Sequence, residues 1–234
     1  IARAKSASAG ETKARKGVTV VTLPDIRWKR PDIKSVALLP QALARQAAYD
    51  AGVPVLMDAE ETWIQKPIDN LAYEMMKRFN KERAIVFNTY QMYRTDMLQN
   101  LRNAMHYAAM HNYFLGAKLV RGAYMEKERE RAEDKGYPSP IHKTKQDTDN
   151  DYNKGLAFCV DNKQRVSLIC GSHNEYSNYY LTVLLDKHSM NNHDPRVWFS
   201  QLYGMSDNIS FNLSKAGYNV VKYVPYGPVK HVMP

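Results

Sequence analysis

Residues 117–124 read Ala-Lys-Leu-Val-Arg-Gly-Ala-Tyr, a short apolar run that ends in polar residues just ahead of a charged, helix-forming stretch. That unit recurs along the chain. Further apolar runs lie at 53–57, 84–87, 166–170, 197–199 and 220–224. Runs of this kind suit strands buried on both faces. Four of the five spacings between their starts are 23 to 33 residues, room for one crossover helix and two loops. The remaining spacing, from 117 to 166, leaves space for an extra charged segment. Between the runs, 64–79 places Ile64, Ile68, Leu71, Ala72, Met75, Met76 and Phe79 close to a 3.6-residue period. Residues 96–114 and 174–185 also read as helices, and 190–195 as a loop.

Six consecutive βα units define an α/β fold, either a parallel sheet covered on both sides or a (βα)8 barrel. Polar residues close the runs: Asp58, Asn88, Arg121, Gly171-Ser172-His173, Gln201 and Tyr226-Gly227. In a barrel those ends converge on one mouth, where active sites form. This serial placement favours a distorted (βα)8, TIM-like barrel. Runs at 18–23 and 33–39 would supply two more strands. The expected organisation is a basic arm over 1–17 and a barrel over 18–234.

The 234 residues are 44% hydrophobic and 24% charged, which excludes intrinsic disorder and low-complexity arrays. No stretch approaches the roughly 20 apolar residues that span a bilayer as a helix. Two cysteines are too few for a disulfide framework and lack zinc-type spacing. The net charge is +9 and is unevenly spread. Residues 1–35 carry nine basic and three acidic side chains, and the remainder 24 and 21. A basic arm suits an anionic membrane surface or a solvated leader, and its Arg/Ser/Ala bias faintly resembles a transit peptide. The chain lacks any nucleic-acid-reading motif, so no nucleic-acid partner is expected.

Lys118 and Arg121 are the sharpest chemical signal. Charges on a buried strand are expensive unless paired or aimed at a ligand. Two cations, then Gly122 for close backbone approach, then Tyr124, suit an anionic ligand with a flat ring, such as a flavin dinucleotide; a salt-bridge set is the alternative. No GxGxxG occurs, so a Rossmann-type site is not indicated. Asp58, Glu60 and Glu61 follow a buried run as a metal site or acid/base pair, or else Glu60 and Glu61 open the next helix and favour its positive end. Of these, Asp58 is expected at the mouth. Ser172, His173 and Asn174 open a helix, a phosphate-binding setting, although a lone structural histidine is the commoner case. With no second His or Cys at ligand spacing, no metal is expected.

Six stretches, taken together, resemble the proline dehydrogenase (proline oxidase) family in its single-function mitochondrial and bacterial form. They are Leu-Met-Asp-Ala-Glu-Glu at 56–61, Phe-Asn-Thr-Tyr-Gln-Met-Tyr at 87–93, the 116–126 segment, Ser-His-Asn-Glu at 172–175, Phe-Ser-Gln-Leu-Tyr-Gly-Met at 199–205 and Lys-Tyr-Val-Pro-Tyr-Gly-Pro at 222–228. The resemblance covers about residues 41–234. It implies a distorted barrel holding FAD that oxidises L-proline to Δ1-pyrroline-5-carboxylate and passes electrons to a membrane quinone. By motif, Asp58 and Tyr223 would line the proline pocket, Leu202 would pack on its ring, and Tyr124 would stand beside flavin and substrate. Lys118 would approach flavin N5 and Gln91 would bond the isoalloxazine. Arg121, Gly122, Lys145, Ser172, His173 and Asn174 would hold the rest of FAD. Lys34 resembles the family's pocket lysine on an early strand, although it lies only 24 residues before Asp58.

The family's carboxylate-binding Arg-Arg pair would begin after Pro234, so this chain is expected to lack the last helix and parts of the N-terminal region. The resemblance implies the matrix side of the mitochondrial inner membrane in a eukaryote, or the cytoplasm or inner face of the plasma membrane in a bacterium. Hydroxyproline dehydrogenase, or a non-catalytic flavin-binding relative without the Arg pair, are the alternatives. Oligomeric state is left open.

Overall fold

A computed structural model describes residues 53–224. Six strands form one parallel sheet: β1 (Val55–Met57), β2 (Val86–Gln91), β3 (Leu115–Val120), β4 (Val166–Gly171), β5 (Val197–Leu202) and β6 (Val220–Tyr223). Their order in space is their order in sequence. An open doubly wound sheet reverses direction at a switch point; this one does not, and its six strands curl into a half-barrel. Lys34, the 1–17 arm, the runs at 18–23 and 33–39, and Tyr226-Gly227 lie outside the described residues.

Among the described residues six helices accompany the strands: α1 (Thr62–Phe79), α2 (Met97–Met110), α3 (Met125–Lys135), α4 (Lys145–Asp161), α5 (Glu175–Lys187) and α6 (Asp207–Lys215). The long spacing between β3 and β4 holds two of them, the charged α3 and the buried α4. Helix α2 ends four residues short of the expected 114. Asn112 adopts a left-handed φ of 50°, and Tyr113 and Phe114 run into β3.

One face of the sheet packs on the helices. Val86, Tyr90, Leu115, Ala117, Leu119, Leu168, Cys170 and Phe199 join Ala72, Met76, Leu101, Leu156 and Leu181 in a single core. Asn80, fully buried at the end of α1, organises the opposite end of the strands. Its amide donates to the carbonyls of Val86 and Phe114 at 2.8 Å, and its oxygen accepts from Ile85 and Val86 N–H. The other face carries a row set by the register, Thr89, Lys118, Ile169 and Trp198.

This alternation revises the expectation that every run-ending polar residue faces the mouth. Strand β2 continues through Gln91, so Asn88 lies inside it and in phase with Val86 and Tyr90. Its amide donates to Asp69 on α1 at 2.7 Å. Gln201 likewise sits in phase with Phe199, donates to the Ser172 carbonyl at 3.2 Å and accepts from Ser210 on α6 at 2.9 Å. Both are buried on the helix side, where a polar group needs partners.

Candidate active site

The inner face of the sheet carries a cation in mid-strand. Lys118 is followed by two more strand residues, and its ammonium has no partner on its own strand. It reaches Asp58, just beyond β1, with Nζ 2.5 Å from Oδ1. The lysine side chain is 11% exposed and the aspartate 55%. Thr89, beside Lys118 in register, donates to the Met57 carbonyl at 2.7 Å and so holds the end of β1 close. The same ammonium lies 5.6 Å from the centre of the Tyr223 ring. Leu202 is the register partner of Tyr223, and both remain part-exposed at the strand ends. Asp58, Lys118, Leu202 and Tyr223 therefore stand together.

Beside them, Gln91 ends β2. Its amide donates to the Glu60 carbonyl at 2.8 Å, and its oxygen accepts from Ala123 N–H at 3.2 Å. Tyr124 donates to the Glu60 carboxylate at 2.8 Å. Burial, then that acceptor, pushes the Tyr124 phenol well above its ordinary value. Glu61 precedes α1 but does not cap it. The first turn is capped from α3 instead: Glu128, fully buried, accepts from Thr62 N–H at 2.6 Å and from its hydroxyl at 2.7 Å. Gly122 has φ 135°, and a Cβ there would come within 2.5 Å of the Tyr93 ring. The close approach that this glycine permits is to Tyr93.

The third group surrounds Arg121. Its Nε donates to Asp149 at 2.7 Å, Nη1 to Ser172 Oγ at 2.8 Å and Nη2 to Ser177 Oγ at 3.0 Å. The guanidinium lies 4.5 Å over the Tyr152 ring. Lys145, at the start of α4, pairs with the other Asp149 oxygen. Burial alone would raise the Asp149 carboxyl; hydrogen bonds from Lys145 and Arg121 hold it below its ordinary value. Asn174 caps α5, its oxygen accepting from Ser177 N–H at 2.9 Å. His173 approaches Ser206 Oγ at 2.8 Å, and burial followed by the Lys222 charge lowers its pKa. The N-termini of α4 and α5 thus flank an open groove of about 640 Å³ lined by Asp149, Asn153, Asn174, Tyr176, Ser177 and Tyr180.

Sequence reading missed Asp149 and Ser177 as members of the site. Their signals were present, an i,i+4 step from Lys145 and the third residue after the Asn174 cap. Among the described residues no group of three acidic, His or Cys side chains is placed to hold a metal. No described helix is long and apolar enough to cross a membrane.

A singly wound parallel βα sheet curled into a half-barrel, with paired charges at its inner face and strand ends, defines an α/β protein of the TIM-barrel-like class. Solved structures share this fold. A crystal structure of proline utilization A from Bdellovibrio bacteriovorus, inactivated by N-propargylglycine, superposes with a TM-score of 0.74 at 22% identity, over 79% of this chain and 19% of that one. A bifunctional proline utilization A protein gives 0.72 at 22%, over 85% and 20%. The profile of the proline dehydrogenase family matches residues 2–234, and the chain belongs to that family. Relatives include the mitochondrial proline dehydrogenase 1 of Drosophila melanogaster, 38% identical over 81% of this chain and 29% of its own, and that of Homo sapiens, 40% identical over 82% and 32%. Proline dehydrogenase 2 of Arabidopsis thaliana, also mitochondrial, is 40% identical over 79% and 40%. The chain spans about a third of the length of these relatives.

Proposed function

We propose that the protein carrying this chain oxidises L-proline to Δ1-pyrroline-5-carboxylate, with FAD as hydride acceptor and a quinone as the onward electron acceptor. The Lys118–Asp58 pair, whose ammonium faces the ring of Tyr223, the register partner of Leu202, carries this reading. It is the combination that a zwitterion with an apolar ring requires. The hydrogen bonds that Asp58 accepts among the described residues fall on Oδ1, from Lys118 and Thr89. Oδ2 is then available to orient the substrate's ammonium. Leu202 and Tyr223 wall the ring and exclude water from it. Lys34 would join this pocket in the whole protein.

The residues present fit FAD. The donor set at the rim comprises Arg121, Lys145, Ser172 and Asn174 beside two helix N-termini, which suits a diphosphate. Lys118, Gln91 and Tyr124 lie toward the inner face, where a flat ring needs donors and a neighbour. Gly122 and His173 border those two groups. When bound, FAD supplies the hydride acceptor. The mitochondrial names of the relatives support a place at the inner membrane, facing the matrix, if the source is eukaryotic. The division into a 1–17 arm and an 18–234 barrel is proposed with it.

The test is made on the purified full-length protein. It should be yellow, and L-proline should bleach the flavin absorbance anaerobically, faster than hydroxyproline does. A protein that retains no flavin, or whose flavin is indifferent to L-proline, overturns the reading.

A further inference from the structure

Lys222 is an interior cation that the proposed chemistry does not use. On β6 it points away from Tyr223, and its side chain is 6% exposed. A lysine this buried needs oxygen partners. It has three: the Met205 carbonyl at 2.7 Å, the Leu202 carbonyl at 3.5 Å and Asp207 Oδ1 at 2.7 Å. All three belong to the turn between β5 and α6 or its immediate ends.

That turn is the strained part of the mouth. Gly204 has φ 77° and Ser206, which has a Cβ, φ 51°. A non-glycine residue in the left-handed region persists where its surroundings over-determine it. On one side Tyr203 N–H donates to the Tyr223 carbonyl at 2.8 Å, and on another His173 holds Ser206. Lys222 occupies the centre, donating to the Met205 carbonyl and reaching the Leu202 carbonyl, which also accepts from Met205 N–H at 3.1 Å. Leu202 is the first residue of this gathered set, and its side chain stands part-exposed beside Tyr223.

We infer that Lys222 is a positioning residue that fixes the β5–α6 turn and thereby sets the height of the Leu202 wall, and so the size of ring the pocket admits. It touches neither ring nor flavin and acts through Leu202. This inference rests on the proposed function.

The test uses the full-length, flavin-loaded protein with Lys222→Met and Lys222→Arg. KM and kcat for L-proline and for hydroxyproline, flavin content and Tm are measured together. Lys222→Met should raise KM for L-proline about tenfold while kcat changes less than about twofold, the pattern of lost ground-state positioning. Flavin content should hold, discrimination against hydroxyproline should shrink, and Lys222→Arg should recover part of the KM. A lower Tm with unchanged KM and unchanged discrimination overturns the inference, because a purely structural lysine predicts that result. If Lys222→Met does not fold, Asp207→Asn, at a half-exposed partner, should raise KM in the same direction by about threefold, and no change there also overturns it. A wild-type protein that binds flavin but ignores L-proline refutes the functional reading itself, and this inference falls with it.

Discussion

Lys118 and Asp58 are 60 residues apart in the chain, and their charged atoms lie 2.5 Å apart. Neither has an ionic partner on its own element, and each makes the other's position tolerable: a mid-strand ammonium at the inner face is compensated by a carboxylate that the end of β1 delivers. Removing one leaves the other a charge without its partner, which costs more than the pair contributes.

Asp58→Asn should lower L-proline turnover by about 100-fold or more, because it removes both the anchor of Lys118 and the carboxylate offered to the substrate ammonium. Flavin content should stay near that of the wild type, since Arg121 and Lys145 are untouched. Proline-dependent bleaching measured beside flavin stoichiometry checks this. Loss of flavin with preserved turnover per bound flavin would place Asp58 in the cofactor site instead.

Arg121→Lys keeps a charge but loses the fork that spans Asp149, Ser172 and Ser177. Flavin affinity should weaken by about 10-fold to 100-fold, as expected when hydrogen bonds from a charged group are lost. Titration of apoprotein with FAD, followed by fluorescence quenching, measures it.

Glu128→Ala should destabilise the fold by about 2–3 kcal/mol, because two hydrogen bonds to a buried carboxylate vanish and the first turn of α1 loses its cap. Urea unfolding monitored by circular dichroism gives the value. An effect under about 0.5 kcal/mol would mean that water caps the helix as well as Glu128 does.

Asp69 supplies a pH test. Burial raises its pKa above 3.8, outweighing the hydrogen bonds from Asn88 and Gln65. A carboxyl whose folded pKa is raised binds its proton more tightly in the native state. The native state therefore loses stability as pH rises from below 3.8 through the folded value. Asp69→Asn keeps an oxygen to accept both bonds and removes the titration. The variant should be more stable than wild type at neutral pH, with the gain shrinking in acid below the ordinary carboxylate value. Denaturation at both pH values checks the sign.

The strands and three of the six described helices, α1, α2 and α5, were legible because burial on both faces forces parallel strands to be apolar runs, and a helix against a sheet needs a 3.6-residue stripe. Lys118 and Arg121 were legible as exceptions to that rule. Less was legible in the polar strand residues. Asn88 and Gln201 look like mouth residues in sequence, but a strand's two faces alternate. Phase with Val86 and Phe199 sends them to the helices. The end of β2 was read four residues early because Asn88, Thr89 and Gln91 are polar and buried at once.

The sequence by itself determined that this chain is a serial βα protein, where its strand ends lie, and which residues there are too charged to be core. Only the tertiary structure decided their partners. Lys118 takes Asp58 across two strands, Arg121 takes Asp149, Ser172 and Ser177 from three different segments, and Glu128 caps a helix 66 residues away. Local sequence cannot specify such pairs. A buried charge accepts whichever oxygen the packed sheet and helices bring within reach, and that distance exists only once the barrel wall has curved.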